Sequence, residues 1–171
     1  MHVSETRLTN LLGALGLATA DLLASEGERT VGRAASAPAC LLTIATRPGI
    51  SIEALRAILG LSQPATVRLV DNLVADGLVT RNPGPDNRTR ALALTPEGTS
   101  RATQALTARH TALETLLEDL DAADRESLTD LLERVLARLP QGRSHARHLC
   151  RLCDHQSCET PYCPIDRAVP D

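Results

Sequence analysis

The stretch "LSQPATVRLVDNLVADGLVTRNPGPDNRTRALALTPEG", residues 61–98, contains the change of hydrophobic period on which the fold turns. In its first half Val67, Val70, Leu73 and Val74 recur at helical spacing behind Ser62 and Pro64. That spacing predicts a helix with Ser62 as N-cap and Pro64 in the first turn. In its second half the period drops to two: "LVTRN" and "RALALT" alternate about "PGPDNR", whose Pro, Gly, Asp and Asn are hairpin-loop residues. Thr95 and Pro96 then begin another helix.

Upstream, "ACLLTIATRPG" fits a short buried helix ended by Pro48 and Gly49. Ser51 caps "SIEALRAILG", and Gly60 supplies the left-handed position after it. Two helices joined by a glycine turn and followed by a hairpin give a helix-turn-helix with a wing. Farther out, Leu8, Leu11, Leu15, Ala18 and Leu22 form the stripe of a first helix over roughly residues 4–25, and the polar "SEGERTVGR" reads as a connection. Leu106, Leu113, Leu117 and Leu120 mark a long helix to about Asp119. Asp121 caps a last one, where Leu128, Leu131, Leu132, Val135 and Leu139 share a face until Pro140 and Gly142.

The expected fold class is mainly α: a winged helix-turn-helix with a small β-hairpin wing, and a helical dimerisation region formed by N- and C-terminal helices. Their apolar seams are too broad to be covered within one small chain, which implies an intertwined homodimer. The expected organisation is a dimerisation helix and connection over 1–35, the winged unit over 36–98, C-terminal dimerisation helices over 99–140 and a cysteine-rich tail over 141–171.

This order of elements resembles the MarR family of bacterial transcription regulators. "LSQPATVRLVDNLVADGLVTR" looks like its recognition helix, and "DNRTRALALTPEG" looks like its wing signature. The resemblance covers about residues 4–139 and implies a homodimer that binds pseudo-palindromic double-stranded DNA, usually as a repressor, released by a small-molecule or redox effector. It assigns base reading to Ser62, Gln63, Ala65, Thr66 and Arg68, and the minor-groove contact to Arg88 with Asp86 bracing it. The chemistry of these residues agrees: Gln suits adenine, Arg suits guanine or phosphate, and Thr suits a phosphate oxygen or a thymine methyl. Arg88 and Arg90, on or beside a hairpin loop, suit a narrow A·T minor groove. The two prolines of "NPGPDNR" depart from the family's wing.

Composition limits the alternatives. A chain of 171 residues with 43% apolar residues supports one ordinary core plus appendages. The net charge of −3 gives no whole-chain attraction to nucleic acid, so DNA binding must rest on a local arrangement. Every cationic side chain except histidine is Arg, and Tyr162 is the only aromatic, which excludes base-stacking recognition of single strands. The start lacks a secretory pattern, and no uncharged apolar run has the length of a membrane span, so a cytoplasmic bacterial protein without membrane contact is expected.

In a reducing compartment the tail "CRLCDHQSCETPYC" reads as metal ligands or redox groups before structural disulfides. Cys150, Cys153, Cys158 and Cys163 have a spacing similar to a zinc knuckle, with Cys158 standing where the knuckle has His and without its glycine and aromatic. Four thiolates fill a Zn²⁺ tetrahedron and leave no position for a reactive water, which argues for a structural ion and against an enzyme. An iron–sulfur cluster sensing oxidants and metal-free dithiols are the alternatives. His145, His148 and His155 rank below the thiolates as ligands. Arg138, Arg143, Arg147 and Arg151 read as a solvated linker or as a contact to DNA backbone or the partner subunit. Cys40, in an apolar helix, reads as an inert buried thiol. A competing reading is a protein-interaction or metal-handling module that keeps the winged fold without reading DNA sequence.

Overall fold

The computed structural model describes residues 4–33, 36–84, 90–158 and 163–169. Among these the chain runs through α1 (Glu5–Val31), α2 (Ser36–Thr46), α3 (Ile52–Leu59), α4 (Gln63–Ala75), β1 (Val79–Pro83), β2 (Arg90–Leu94), α5 (Pro96–Thr115), α6 (Ala122–Leu136), α7 (Arg143–Leu149) and α8 (Pro164–Arg167). The mainly helical winged-helix fold is as the sequence predicts.

α2 is the centre of the core. Its run from Ala37 to Ile44 is buried, and it packs on α1, α3, α5 and β2. Around it close Leu55, Ile58, Val70, Leu73, Leu78, Val79 and Leu92, the inward positions of the predicted helix-turn-helix and wing. β1 and β2 pair antiparallel, with Val79 opposite Leu94 and Pro83 opposite Arg90. Beyond the predicted hairpin, Ile50 bridges Leu92: the Leu92 amide donates to Ile50 O at 3.0 Å and the Gly49 amide to Leu92 O at 2.9 Å. The wing is thereby tied to the loop before α3.

The "TPEG" start of α5 is the tightest joint. Thr95 Oγ1 accepts from the Gly98 amide at 2.9 Å and donates to Gly77 O at 2.7 Å. Gly98 lies so close to β1's approach that a Cβ there would stand 1.9 Å from Leu78 O.

Three boundaries differ from expectation. The polar "SEGERTVGR" is mostly helical: α1 continues to Val31 because Glu26 pairs with Arg29, the Thr30 hydroxyl bonds back to Glu26 O, and Gly27 lets Pro38 pack closely. Gly32 in the left-handed conformation then ends it. α5 stops at Thr115, four residues short of the expected end. The stretch expected as a linker after Gly142 forms α7, which packs on α3.

An 18-residue window within Glu5–Val31 reaches a mean hydropathy of 1.3, so by length and composition alone this helix is apolar enough to cross a membrane. Its N-terminal part is uncovered, as is α6, which has no buried residue. Leu8, Leu11, Leu12, Leu15 and Leu17 on α1, and Leu131, Leu132, Val135 and Leu139 on or just after α6, are 42% to 71% exposed.

Candidate nucleic-acid interface and cysteine cluster

α3 and α4 meet at a three-residue turn, Gly60 to Ser62. Gly60, at φ 67°, donates its amide to Arg56 O and turns the chain, and Ser62 Oγ accepts from the Ala65 amide to cap α4. Val70 and Leu73 are fully buried on the inner side, which fixes the rotation of α4 and leaves Ser62, Gln63, Ala65 and Arg68 exposed on its first two turns. Thr66 departs from its assigned role. It is fully buried, and its hydroxyl donates to Ser62 O at 3.0 Å. Its side chain braces the start of α4 and does not face a base, because the period that turns Val70 inward turns Thr66 inward as well.

Arg90 is exposed at the start of β2. Asp86 and Arg88 lie outside the described residues. Two ion pairs that sequence reasoning did not find hold the presentation of α4. Arg81 on β1 reaches Asp71 at 2.6 Å, tying the wing to the helix. Arg33, just past α1, makes a two-pronged contact with Asp76 at the end of α4, both arms at 2.6 Å. The Arg33 guanidinium holds the Asp76 carboxyl below the usual aspartate range, chiefly by hydrogen bonding, with burial opposing it and the charge of Arg33 adding a smaller lowering. These pairs join residues far apart in sequence and carry no local signature.

The tail builds a second centre. Ala146, Cys163, Ile165 and Val169 are buried together, with Leu136, Leu149 and Cys150 partly buried around them. Arg143 secures it by donating to Asp166 at 2.7 Å and to Val169 O at 3.0 Å, so this member of the expected basic run is engaged within the tail. His145 Nδ1 accepts from the Gln141 amide, and His148 Nδ1 lies 2.8 Å from Ile58 O on α3. His148 is thus the polar pin between the tail and the helix-turn-helix. Leu152 adds an apolar contact to the main core.

All five cysteines are free thiols. Cys40 is fully buried, and burial pushes its thiol up to about 12, as an inert core cysteine requires. The four tail cysteines come together. Cys150 is within hydrogen-bond reach of Cys153 and Cys163, and Cys158 within reach of Cys163. The hydrogen bond between Cys150 and Cys153 lowers Cys153 and raises Cys150; burial opposes the lowering of Cys153, and Arg109 and Arg151 add to it. Burial, then the nearby Cys163 and Cys153, raises Cys158. Among the described residues no group of three or more Cys, His, Asp or Glu side chains is placed to hold a metal ion.

A cavity of about 250 Å³ lies beside the thiols, lined by Cys150, Cys158, Cys163, His155 and the guanidinium-bearing Arg47 and Arg147. Burial, then repulsion by Arg147, lowers the Arg47 pKa. Arg109 is near enough to Cys153 to favour its thiolate, and its Nε is buried with no hydrogen-bond partner among the described residues. Sequence reasoning missed Arg109, although it had a signal: the residue stands on the same stripe of α5 as Leu106 and Leu113, where an apolar side chain is expected.

Comparison with known proteins agrees with this geometry. Residues 31–88 match the family model described as MarR family. The apo form of wild-type MarR from E. coli is 25% identical, covers 82% of this chain and 99% of its own, and superposes with a TM-score of 0.66. A cysteine-to-serine mutant of E. coli MarR complexed with operator DNA is 25% identical over 78% of this chain and 94% of its own, with a TM-score of 0.59. RV1404 from Mycobacterium tuberculosis shares the fold, with a TM-score of 0.70 at 23% identity over 82% of this chain and 98% of its own. No curated protein sequence matches. With residues 31–88, which hold the helix-turn-helix, matching the family model and 82% of the chain covered by the MarR structure, the chain carries the winged-helix fold seen in MarR-family proteins.

Proposed function

We propose that this protein is a DNA-binding transcription regulator that reads pseudo-palindromic duplex DNA as a homodimer and acts as a repressor. The observation that carries the reading is the start of α4, where a capped helix rigidly held from behind presents Gln63, Ala65 and Arg68 to solvent beside a two-stranded wing. A helix N-terminus so presented fits the major groove, and the flanking hairpin fits the adjacent minor groove. The similarity to a MarR chain complexed with operator DNA supports it. The bare leucine faces of α1 and α6 support the dimer, since their burial against a twofold copy removes apolar surface from water. Such a dimer must set its two α4 helices roughly 34–36 Å apart, one turn of duplex. The function proposed is binding and not catalysis, as for the transcription regulators the chain resembles, and as a DNA-bound regulator it acts in the cytoplasm.

The test is selection of duplexes from a random pool by the purified protein, followed by Arg68→Ala. Enrichment of a pseudo-palindrome and a loss of about 1–3 kcal/mol in binding to it with Arg68→Ala are expected. Failure to enrich any sequence at physiological salt, or equal binding by Arg68→Ala, overturns the reading.

A further inference from the structure

Among the described residues of the tail, 141–158 and 163–169, the core has four buried apolar side chains, Ala146, Cys163, Ile165 and Val169. Segments this short do not bury enough surface to offset the entropy of ordering them, and those that fold carry a disulfide or a metal ion as a staple. No disulfide is present. Instead Cys150, Cys158 and Cys163 line one cavity with His155, Arg47 and Arg147, while Cys153 lies beside Cys150 and within the field of Arg109, whose buried Nε has no partner among the described residues.

We propose that Cys150, Cys153, Cys158 and Cys163 bind one Zn²⁺ as a tetrathiolate, and that the loaded site clamps α7 onto α3 through the His148 contact to Ile58 O.

The chemistry balances without a redox step. Each coordinating sulfur releases its thiol proton to solvent, and one Zn²⁺ with four thiolates leaves two negative charges at the centre. A buried anion needs cationic neighbours, and the arginines facing the cluster supply them; for Arg109 Nε the thiolates provide the acceptor that the thiol form lacks. Zinc suits the site because it takes four thiolates in a closed tetrahedron and needs neither inorganic sulfide nor an electron donor.

The clamp follows from what the cysteines are attached to. Cys150 is the C-cap residue of α7, one helical turn after Ala146 and two residues after His148. α7 packs on α3, and the His148 ring also abuts Gly60, the residue that turns α3 into α4. An ion that fixes Cys150 therefore fixes the ring that holds the end of α3.

The experiment uses the full chain, stripped of metal under reducing, oxygen-free conditions and titrated with Zn²⁺ alone and with Co²⁺ alone, with hydrogen exchange read before and after loading. One Zn²⁺ per chain, an intense thiolate-to-Co²⁺ absorption band, and slower exchange in both 143–152 and 52–60 are expected. Cys158→Ser is the informative ligand variant because Cys158 is exposed and its replacement leaves the packing intact; it should weaken zinc binding at least 100-fold. His148→Ala should keep the zinc but lose the slowing in 52–60. Three results overturn the proposal: no zinc bound, zinc bound equally well by Cys158→Ser, or iron with acid-labile sulfide in protein purified without oxygen. Zinc bound with unchanged exchange in α3 overturns the clamp. None of these readouts involves DNA, so they stand or fall separately from sequence reading.

Discussion

Gly98 and Thr66 show how much a single residue decides here. At Gly98 the limit is space: the carbonyl oxygen of Leu78 occupies the place a Cβ would take, and a backbone atom cannot rotate away as a side chain would. Gly98→Ala should therefore destabilise the fold by about 1–3 kcal/mol, read as a lower denaturant midpoint with an unchanged slope, although alanine is the better helix former elsewhere. At Thr66 the limit is direction. A hydroxyl residue on a recognition-type helix suggests a DNA contact, yet the side chain lies inside and bonds to Ser62 O. Arg109 is the converse case, a cation on an apolar stripe whose partner set becomes visible only when the tail is in place.

Among the elements, α4 is positioned by others more than by itself. Its inner face packs on α2 and α3, its middle is tied to β1 by Asp71 and Arg81, and its end is tied to the end of α1 by Asp76 and Arg33. The Arg33–Asp76 pair makes this pH-dependent. Because Asp76 is depressed in the folded protein, its contribution is complete above the ordinary aspartate range and is lost as pH falls through the lowered value. Asp76→Asn should accordingly reduce stability at neutral pH and flatten the acid limb of a pH titration, with the two proteins converging at low pH; equal stability at pH 7 would show that the pair does not anchor α4. The helix-turn-helix, the hairpin and the capping of α3, α4, α5 and α6 were legible in the sequence because each follows from contacts within a few residues. The extension of α1 to Val31 was not, because a polar helix turn facing solvent has the composition of a loop.

For the whole molecule the dominant fact is uncovered leucine. α1 and α6 bear apolar faces that no described part of the chain buries, and the same composition lets α1 pass for a membrane span by length alone. The stripe repeats at three- and four-residue steps with Asn10 and Asp21 off it, which suits packing against another helix. Leu15→Glu combined with Leu132→Glu should convert a dimer into a monomer in sedimentation analysis, with α2 to α5 still folded, since neither residue contributes to the main core. A dimer that survives both substitutions would place the interface elsewhere.

What the sequence by itself determined is the order of elements, the caps, the wing and the cysteine spacing, all of which arise from interactions between near neighbours in the chain. Only the tertiary structure decided which side of α4 faces outward at Thr66, which arginines are engaged, and where the tail sits. Those outcomes depend on residues brought together from distant positions, such as Arg33 with Asp76 and His148 with Ile58, and a linear pattern does not encode the partner of a side chain whose contact is made by folding.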